Sequence, residues 1–167
     1  VVIATGMNWP DALGGTSLAG ALDGPVLLVD GKKLSSAVVN EITRLHAAEA
    51  IILGGKLAVG ADVEKALKAK LGATKVERIE GANRYVTADK VAERVLKEHG
   101  TSFDGKAFVA TGGNFPDALA AAPLAAANGW PLYLSHPAKG LSADTKAAMA
   151  RVTDAVILGG TKVVPGK

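Results

Sequence analysis

Apolar runs of four or five residues recur along this chain, each bounded by glycine, proline or a polar turn. Val1-Val2-Ile3-Ala4 stops at Thr5-Gly6, Val26-Leu27-Leu28-Val29 follows Pro25, and residues 49–53 end in Gly54-Gly55. Runs this short and this apolar predict buried strands. The stretches between them carry helical spacing. One helix is expected from residues 8–11 to about Leu22: Pro10 suits the first turn, Asp11 faces the positive end of the dipole, and Asp23-Gly24-Pro25 ends it. A second opens at Leu34-Ser35-Ser36, with Ser35 or Ser36 as cap and Val38, Val39, Ile42 and Leu45 as its apolar face. A third covers residues 62–71, with Val63, Ala66 and Leu67 on one side and Gly72 as its stop. Residues 75–79 alternate polar and apolar, as a half-exposed strand does. Residues 84–98 then place Ala88, Val91, Ala92, Val95 and Leu96 on one helical stripe before His99-Gly100. From Ala107 the strand–helix order begins again. Strands that alternate with helices across short loops give an α/β fold with parallel sheets, and uniformly apolar strands require helices on both faces.

The restart is a repeat. Ala4-Thr5-Gly6-Met7-Asn8-Trp9-Pro10-Asp11-Ala12-Leu13 returns 106 positions later as Ala110-Thr111-Gly112-Gly113-Asn114-Phe115-Pro116-Asp117-Ala118-Leu119. Ile51-Ile52-Leu53-Gly54-Gly55 returns 105 positions later as Val156-Ile157-Leu158-Gly159-Gly160, and Pro25-Val26-Leu27-Leu28 matches Pro131-Leu132-Tyr133-Leu134. The chain therefore reads as two tandem Rossmann-like units, residues 1–75 and 76–167, each a short parallel sheet flanked by helices. The first lacks a counterpart of the segment at 78–98, and the second stops before a counterpart of the helix at 62–71. Such partial units leave apolar edges bare, which neighbouring repeats or other copies of the chain are expected to cover.

Composition narrows the chemistry. With 49% hydrophobic residues but only 4% aromatics, Ala, Val, Leu and Ile must fill the core closely. The net charge of +3 is spread over scattered lysines, including Lys32, Lys33, Lys65, Lys68, Lys70 and Lys139, with no dense basic stripe interleaved with aromatics. This argues against nucleic acid and leaves a weakly basic surface suited to an anionic polymer. There is no cysteine, hence no disulfide or thiolate metal site. No apolar run is long enough to be read as a membrane span.

The repeated Thr-Gly-x-Asn-[Trp/Phe]-Pro-Asp loops are the first candidates for function. At the carboxyl ends of parallel strands, Gly6 and Gly112 would let a ligand approach the backbone, Asn8 and Asn114 would offer amides, and Trp9 or Phe115 would stack on a sugar ring. The alternative is a helix start in which Asn8 and Asn114 cap and Asp11 and Asp117 satisfy amides and dipole. Arg78 and Arg84 are the charged candidates, able to grip phosphate or carboxylate bidentately or to pair internally with Asp11 or Asp117. Gly54-Gly55 and Gly159-Gly160 either line a phosphate site or make tight turns where units approach. Tyr85 is expected to pack and Thr87 to act locally. His46, His99 and His136 lack metal-ligand spacing, and no nucleotide-binding glycine loop or nucleophile elbow is present, so neither a cofactor nor catalysis is expected.

Taken together, Arg78-Ile79-Glu80-Gly81-Ala82-Asn83-Arg84-Tyr85-Val86-Thr87-Ala88, the loop at 110–120, Pro123-Leu124-Ala125, Pro131-Leu132 and Ile157-Leu158-Gly159-Gly160 resemble the cell wall binding repeat of type 2 of Gram-positive surface proteins. The resemblance spans essentially the whole chain. It implies non-covalent anchoring at the cell surface to an anionic wall polysaccharide or teichoic-acid-like polymer, with three tandem modules packed as a pseudo-trimer beside a separate effector domain. Two other readings stay open: an oligomerisation module of a surface layer, and a degenerate nucleotide- or sugar-phosphate-binding domain.

Overall fold

The computed structural model describes residues 1–166; Lys167, the last residue of the second expected unit, lies outside the described residues. Strands and helices alternate as the pattern requires: β1 (Val2–Thr5), α1 (Pro10–Ala21), β2 (Val26–Val29), α2 (Ser36–Arg44), β3 (Ala50–Leu53), α3 (Ala61–Leu71), β4 (Val76–Ile79), α4 (Arg84–His99), β5 (Lys106–Thr111), α5 (Pro116–Asn128), β6 (Leu132–Ser135), α6 (Ala143–Ala148) and β7 (Asp154–Leu158). They form two parallel sheets, ordered β2-β1-β3-β4 and β6-β5-β7. The register repeats with the sequence. Val2 lies opposite Val26 and Ile51, and its mate Phe108 lies opposite Leu132 and Val156.

The two sheets are not copies in what covers them. β4, drawn from the start of the second expected unit, pairs with β3 and completes the first sheet, Ala50 opposite Val76. Helix α4 then serves both cores. Its Val91 and Val95 pack with Val2, Ile51 and Leu53, whereas Ala92 packs with Val109 and Tyr133. A helical stripe wider than one sheet needs is what lets a single helix bridge two sheets. Helices α1 and α5 meet alongside it, joining Leu13 to Phe108, Ala118 and Ala121. Their alanine content lets the backbones come close, most of all at Gly20, where an added Cβ would stand 2.6 Å from the Ala126 carbonyl carbon.

The edges differ accordingly. β6 is buried along its length under α4, and Leu134 is 3% exposed; its repeat mate Leu28 on β2 is 54% exposed. Ile52 on β3 is fully buried by α3 and β4, whereas Ile157 on β7 is 60% exposed. Among the described residues, no counterpart of α3 and β4 covers β7.

Candidate functional site

In the first sheet the chain leaves β1 for β2 on one side and for β3 on the other. The crevice beyond the carboxyl ends of β1 and β3 is therefore the switch point where α/β sheets bind ligands. The loops after both strands meet there. A cavity of about 190 Å³ is lined by Asn8, Asp11, Gly54, Gly55, Asn83 and Arg84, with Gly81 and Thr87 closing its floor. Gly54 has φ +88°, a left-handed conformation that side chains rarely adopt, and a Cβ there would stand 3.2 Å from the Asp11 carboxyl carbon. The strand thus ends in a backbone turned under the carboxylate. The same pair recurs in the second sheet, where Gly159 has φ +103° and a Cβ would lie 3.4 Å from the Asp117 carboxyl carbon.

Asn8 and Asn114 do not cap the helices as expected. Trp9 and Phe115 occupy the cap positions in helical conformation, and neither helix start has a side-chain cap. The Asn side chains accept instead from the next residue's amide, Trp9 N at 3.0 Å and Phe115 N at 2.9 Å. Trp9 and Phe115 are helical although proline disfavours that conformation in the residue before it, so each asparagine stands one residue before the cap position and does not cap the second and third amides. The start of α1 thus has no side-chain cap, and Pro10 and Asp11 line the cavity.

The two arginines separate in role. All three guanidinium nitrogens of Arg78 are engaged: Nη1 donates to Gly54 O (2.7 Å), Nη2 to Val59 O (2.8 Å) and Nε to Glu64 Oε2 (3.0 Å). Its acid is thus Glu64 on α3, neither Asp11 nor Asp117. Arg78 braces the loop after β3 from beneath. Arg84 lies across the cavity mouth. Its guanidinium stacks 5.2 Å from the Trp9 ring centre, and Nη1 donates to Gly112 O at 2.9 Å. Trp9 and Phe115, repeat mates, meet with ring centres 6.2 Å apart. The tie from Arg84 to Gly112 and the aromatic pair fasten the two sheets together. Among the described residues Arg84 makes no other hydrogen bond, and it is one of the residues that line the cavity. Burial pushes the Asp11 carboxyl above its usual range, and Arg84 pulls it partly back.

The second switch point is only half built. Gly112 is buried under Tyr85, whose Cζ would be 2.9 Å from an added Cβ, while Gly159 and Gly160 are exposed. Asn114, Asp117, Gly159 and Gly160 sit at the carboxyl end of the second sheet with no arginine brought to them among the described residues. Thr87 acts locally, accepting the Gly81 amide at 3.0 Å. His99 closes α4 against Gly129 O at 2.8 Å. Of the lysines, Lys68 pairs with Glu64 and Lys70 donates to Thr43, whereas Lys32 and Lys33, joined by Lys56, line a groove of about 550 Å³ on the same side of the first sheet as the Arg84 cavity. Lys56 escapes a reading by lysine runs because it stands alone in sequence. No group of three or more His, Cys, Asp or Glu among the described residues is arranged to hold a metal ion. Among the described residues no helix is long and apolar enough to cross a membrane.

The model of the cell wall binding domain 2 family matches residues 1–64 and 78–167. An amidase enhancer of Bacillus subtilis is 40% identical over 129 residues, 77% of this chain and 17% of that protein. The N-acetylmuramoyl-L-alanine amidase LytC of the same organism is 32% identical over 161 residues, 96% of this chain and 31% of that protein. Among solved structures, Cwp8 from Clostridium difficile superposes with TM-score 0.84 at 28% identity, covering 99% of this chain and 27% of that one. Cwp6 from Clostridium difficile, with TM-score 0.87 at 24% identity over 98% of this chain and 25% of that one, shares the fold. The chain thus spans between about a sixth and a third of the length of these relatives.

Proposed function

Because this chain belongs to the cell wall binding domain 2 family, we propose that it binds an anionic glycopolymer of the Gram-positive wall non-covalently and anchors a longer surface protein there, without itself catalysing a reaction. The observation that carries this is the crevice between β1 and β3. There Arg84, Asn8 and the start of α1, which carries no side-chain cap, line a shallow, open cavity with the lysine groove beside it. Arginine and backbone donors suit phosphate or carboxylate, and Trp9, beneath Arg84, lines an adjoining cavity where its ring face suits a sugar. Gly55 leaves the backbone accessible at the rim and Gly6 does so at an adjoining cavity, while Arg78 holds the turn after β3 in place. The half-built second site of Gly112, Asn114, Phe115, Gly159 and Gly160 makes a weaker contact, so affinity comes from several weak points acting together. The amidase likeness falls within about a third of LytC, and the cavity here shows no nucleophile beside a base, so we assign the binding role to this part.

Retention on purified native walls should fall as salt rises. It should be lost on walls stripped of their secondary polymer, and Arg84→Ala should weaken it about tenfold, the loss of one charged hydrogen-bonding contact. Equal retention by stripped peptidoglycan would sink the proposal. Asp11 tunes the contact. Its carboxylate repels an anion, so retention should rise as pH falls through its raised titration range. Asp11→Asn, which keeps a carbonyl acceptor, should bind more tightly at neutral pH and flatten that pH profile. A profile in the variant as steep as in the parent would exclude Asp11 as the cause.

A partner reading rests on a separate observation. Helix α4 covers β6 and seats Tyr85 on Gly112, while the mates β2, Leu28 and Gly6 stand open beside a cavity of about 330 Å³. We propose that neighbouring repeat units cover these edges. Hydrogen exchange should then protect the β2 and β7 amides in a longer, multi-repeat protein relative to this chain; equal exchange in both would refute it.

A further inference from the structure

A fourth cavity, of about 250 Å³, lies beside β6 and has no part in the Arg84 crevice. Tyr85 and Val86 of α4 form one wall, His136 and Lys139 of the turn after β6 another, and Ser142 and Thr145 at the start of α6 the third. Each wall is fixed without a ligand. The Tyr85 ring lies against Gly112, where no side chain would fit. His136 Nδ1 accepts the amides of Ala138 (3.1 Å) and Lys139 (3.2 Å), which leaves its proton on Nε2 as a donor. Thr145 Oγ1 donates to the buried Asp89 carboxylate at 2.9 Å and lies 2.9 Å from Ser142 Oγ. The Tyr85 and His136 rings stand 5.7 Å apart at 34°, forming a slanted aromatic wall.

The chemistry around this space is that of a sugar site. A pyranose has an apolar C–H face that suits an aromatic wall, and hydroxyls that need donors and acceptors at the rim. Val86 and Leu134 keep the floor apolar, while Ser142 and Asn83 supply the rim. At about 250 Å³ it falls below the roughly 300–1,000 Å³ of pockets for larger ligands, a size that suits one ring. His136 Nε2–H and the Lys139 ammonium add two donors on the wall after β6, which suit an acidic group there; Asp144 also lines the cavity, and its carboxylate disfavours that group at the α6 wall. The repeat does not duplicate the site: the positions matching Leu134 and His136 are the exposed Leu28 and Asp30, with no tyrosine over Gly6 among the described residues.

We propose that this cavity binds one carboxylate- or phosphate-bearing sugar residue of the wall polymer, its ring against Tyr85 and its acidic group on His136 and Lys139. The proposal rests on the polymer-binding reading above and adds a subsite separate from the Arg84 crevice. The test titrates the chain with the anionic glycopolymer fraction purified from Bacillus subtilis walls, following the His136 imidazole signals by NMR. Lys139→Ala and His136→Asn are measured in parallel; the asparagine oxygen keeps an acceptor for the turn amides but removes the Nε2–H. We expect the His136 signals to shift at saturation, each variant to bind about tenfold more weakly, and melting temperatures to stay unchanged. Parent binding with unmoved His136 signals and undiminished affinity in Lys139→Ala overturns this subsite and leaves the wider reading standing. No binding by the parent overturns both. Should His136→Asn melt early, the Lys139 variant and the parent's NMR shifts still decide the outcome.

Discussion

Replacing Arg78 with methionine is expected to destabilise the chain by about 3–5 kcal/mol, the range for removing one partner of a buried charged pair. Arg78 holds three acceptors at once, and two of them are the carbonyls of buried residues, Gly54 and Val59. Methionine replaces the stem but donates nothing, so both carbonyls lose their partner inside the fold, where water reaches them poorly. Glu64 keeps Lys68 and loses its better-buried partner. Arg78→Lys should recover only part of the loss, because one ammonium cannot span three acceptors that lie in the plane of a guanidinium fork. Urea unfolding measures both variants. A methionine variant within about 1 kcal/mol of the parent would show that the bracing role assigned to Arg78 is mistaken, since that is the size of a single ordinary hydrogen bond. Because the loop it braces forms the rim of the Arg84 crevice, polymer retention should weaken as well.

Glycine-to-alanine changes within α1 should split in sign. Gly20→Ala places a methyl group inside the contact radius of the Ala126 carbonyl on α5. The obstacle is backbone, which no rotamer change can move, so α1 and α5 must separate. The expected cost is about 1–3 kcal/mol from overpacking, after any gain in helix propensity. Gly14→Ala meets nothing within 4 Å and should stabilise by about 0.5–1 kcal/mol, the ordinary advantage of alanine over glycine in a helix. Thermal melts of the two variants form an internally controlled pair. Shifts of the same sign in both would mean that the α1–α5 contact is not the close approach described.

The strands and helices were legible because burial on both faces leaves a strand no polar positions, and because the helical stripes on α2 and α4 obey one period. Repeat register was legible for the same reason: Phe108 and Val2 meet equivalent neighbours. What the pattern missed is mostly a matter of partners. Glu64 stands 14 residues before Arg78 on another element, and only the pairing of β3 with β4 brings them together. The asparagines resembled caps by residue type, but the helical conformation of Trp9 and Phe115 puts the cap one position later. Tyr85 and His136 are 51 residues apart and form a wall only because α4 crosses the edge of β6.

Sequence alone determined that this chain is a duplicated α/β arrangement with wall-binding relatives, since apolar periodicity and repeated loops are properties local to each segment. Tertiary structure decided that the duplicated loops are unequal. A strand and a helix from one repeat complete the crevice of the other, so Arg84 lines one switch point, touches the second only at the Gly112 carbonyl, and leaves Gly159 and Gly160 exposed. Which acceptors an arginine satisfies, and which edge a helix covers, depend on segments far apart in the chain meeting in space, and no local pattern encodes that meeting.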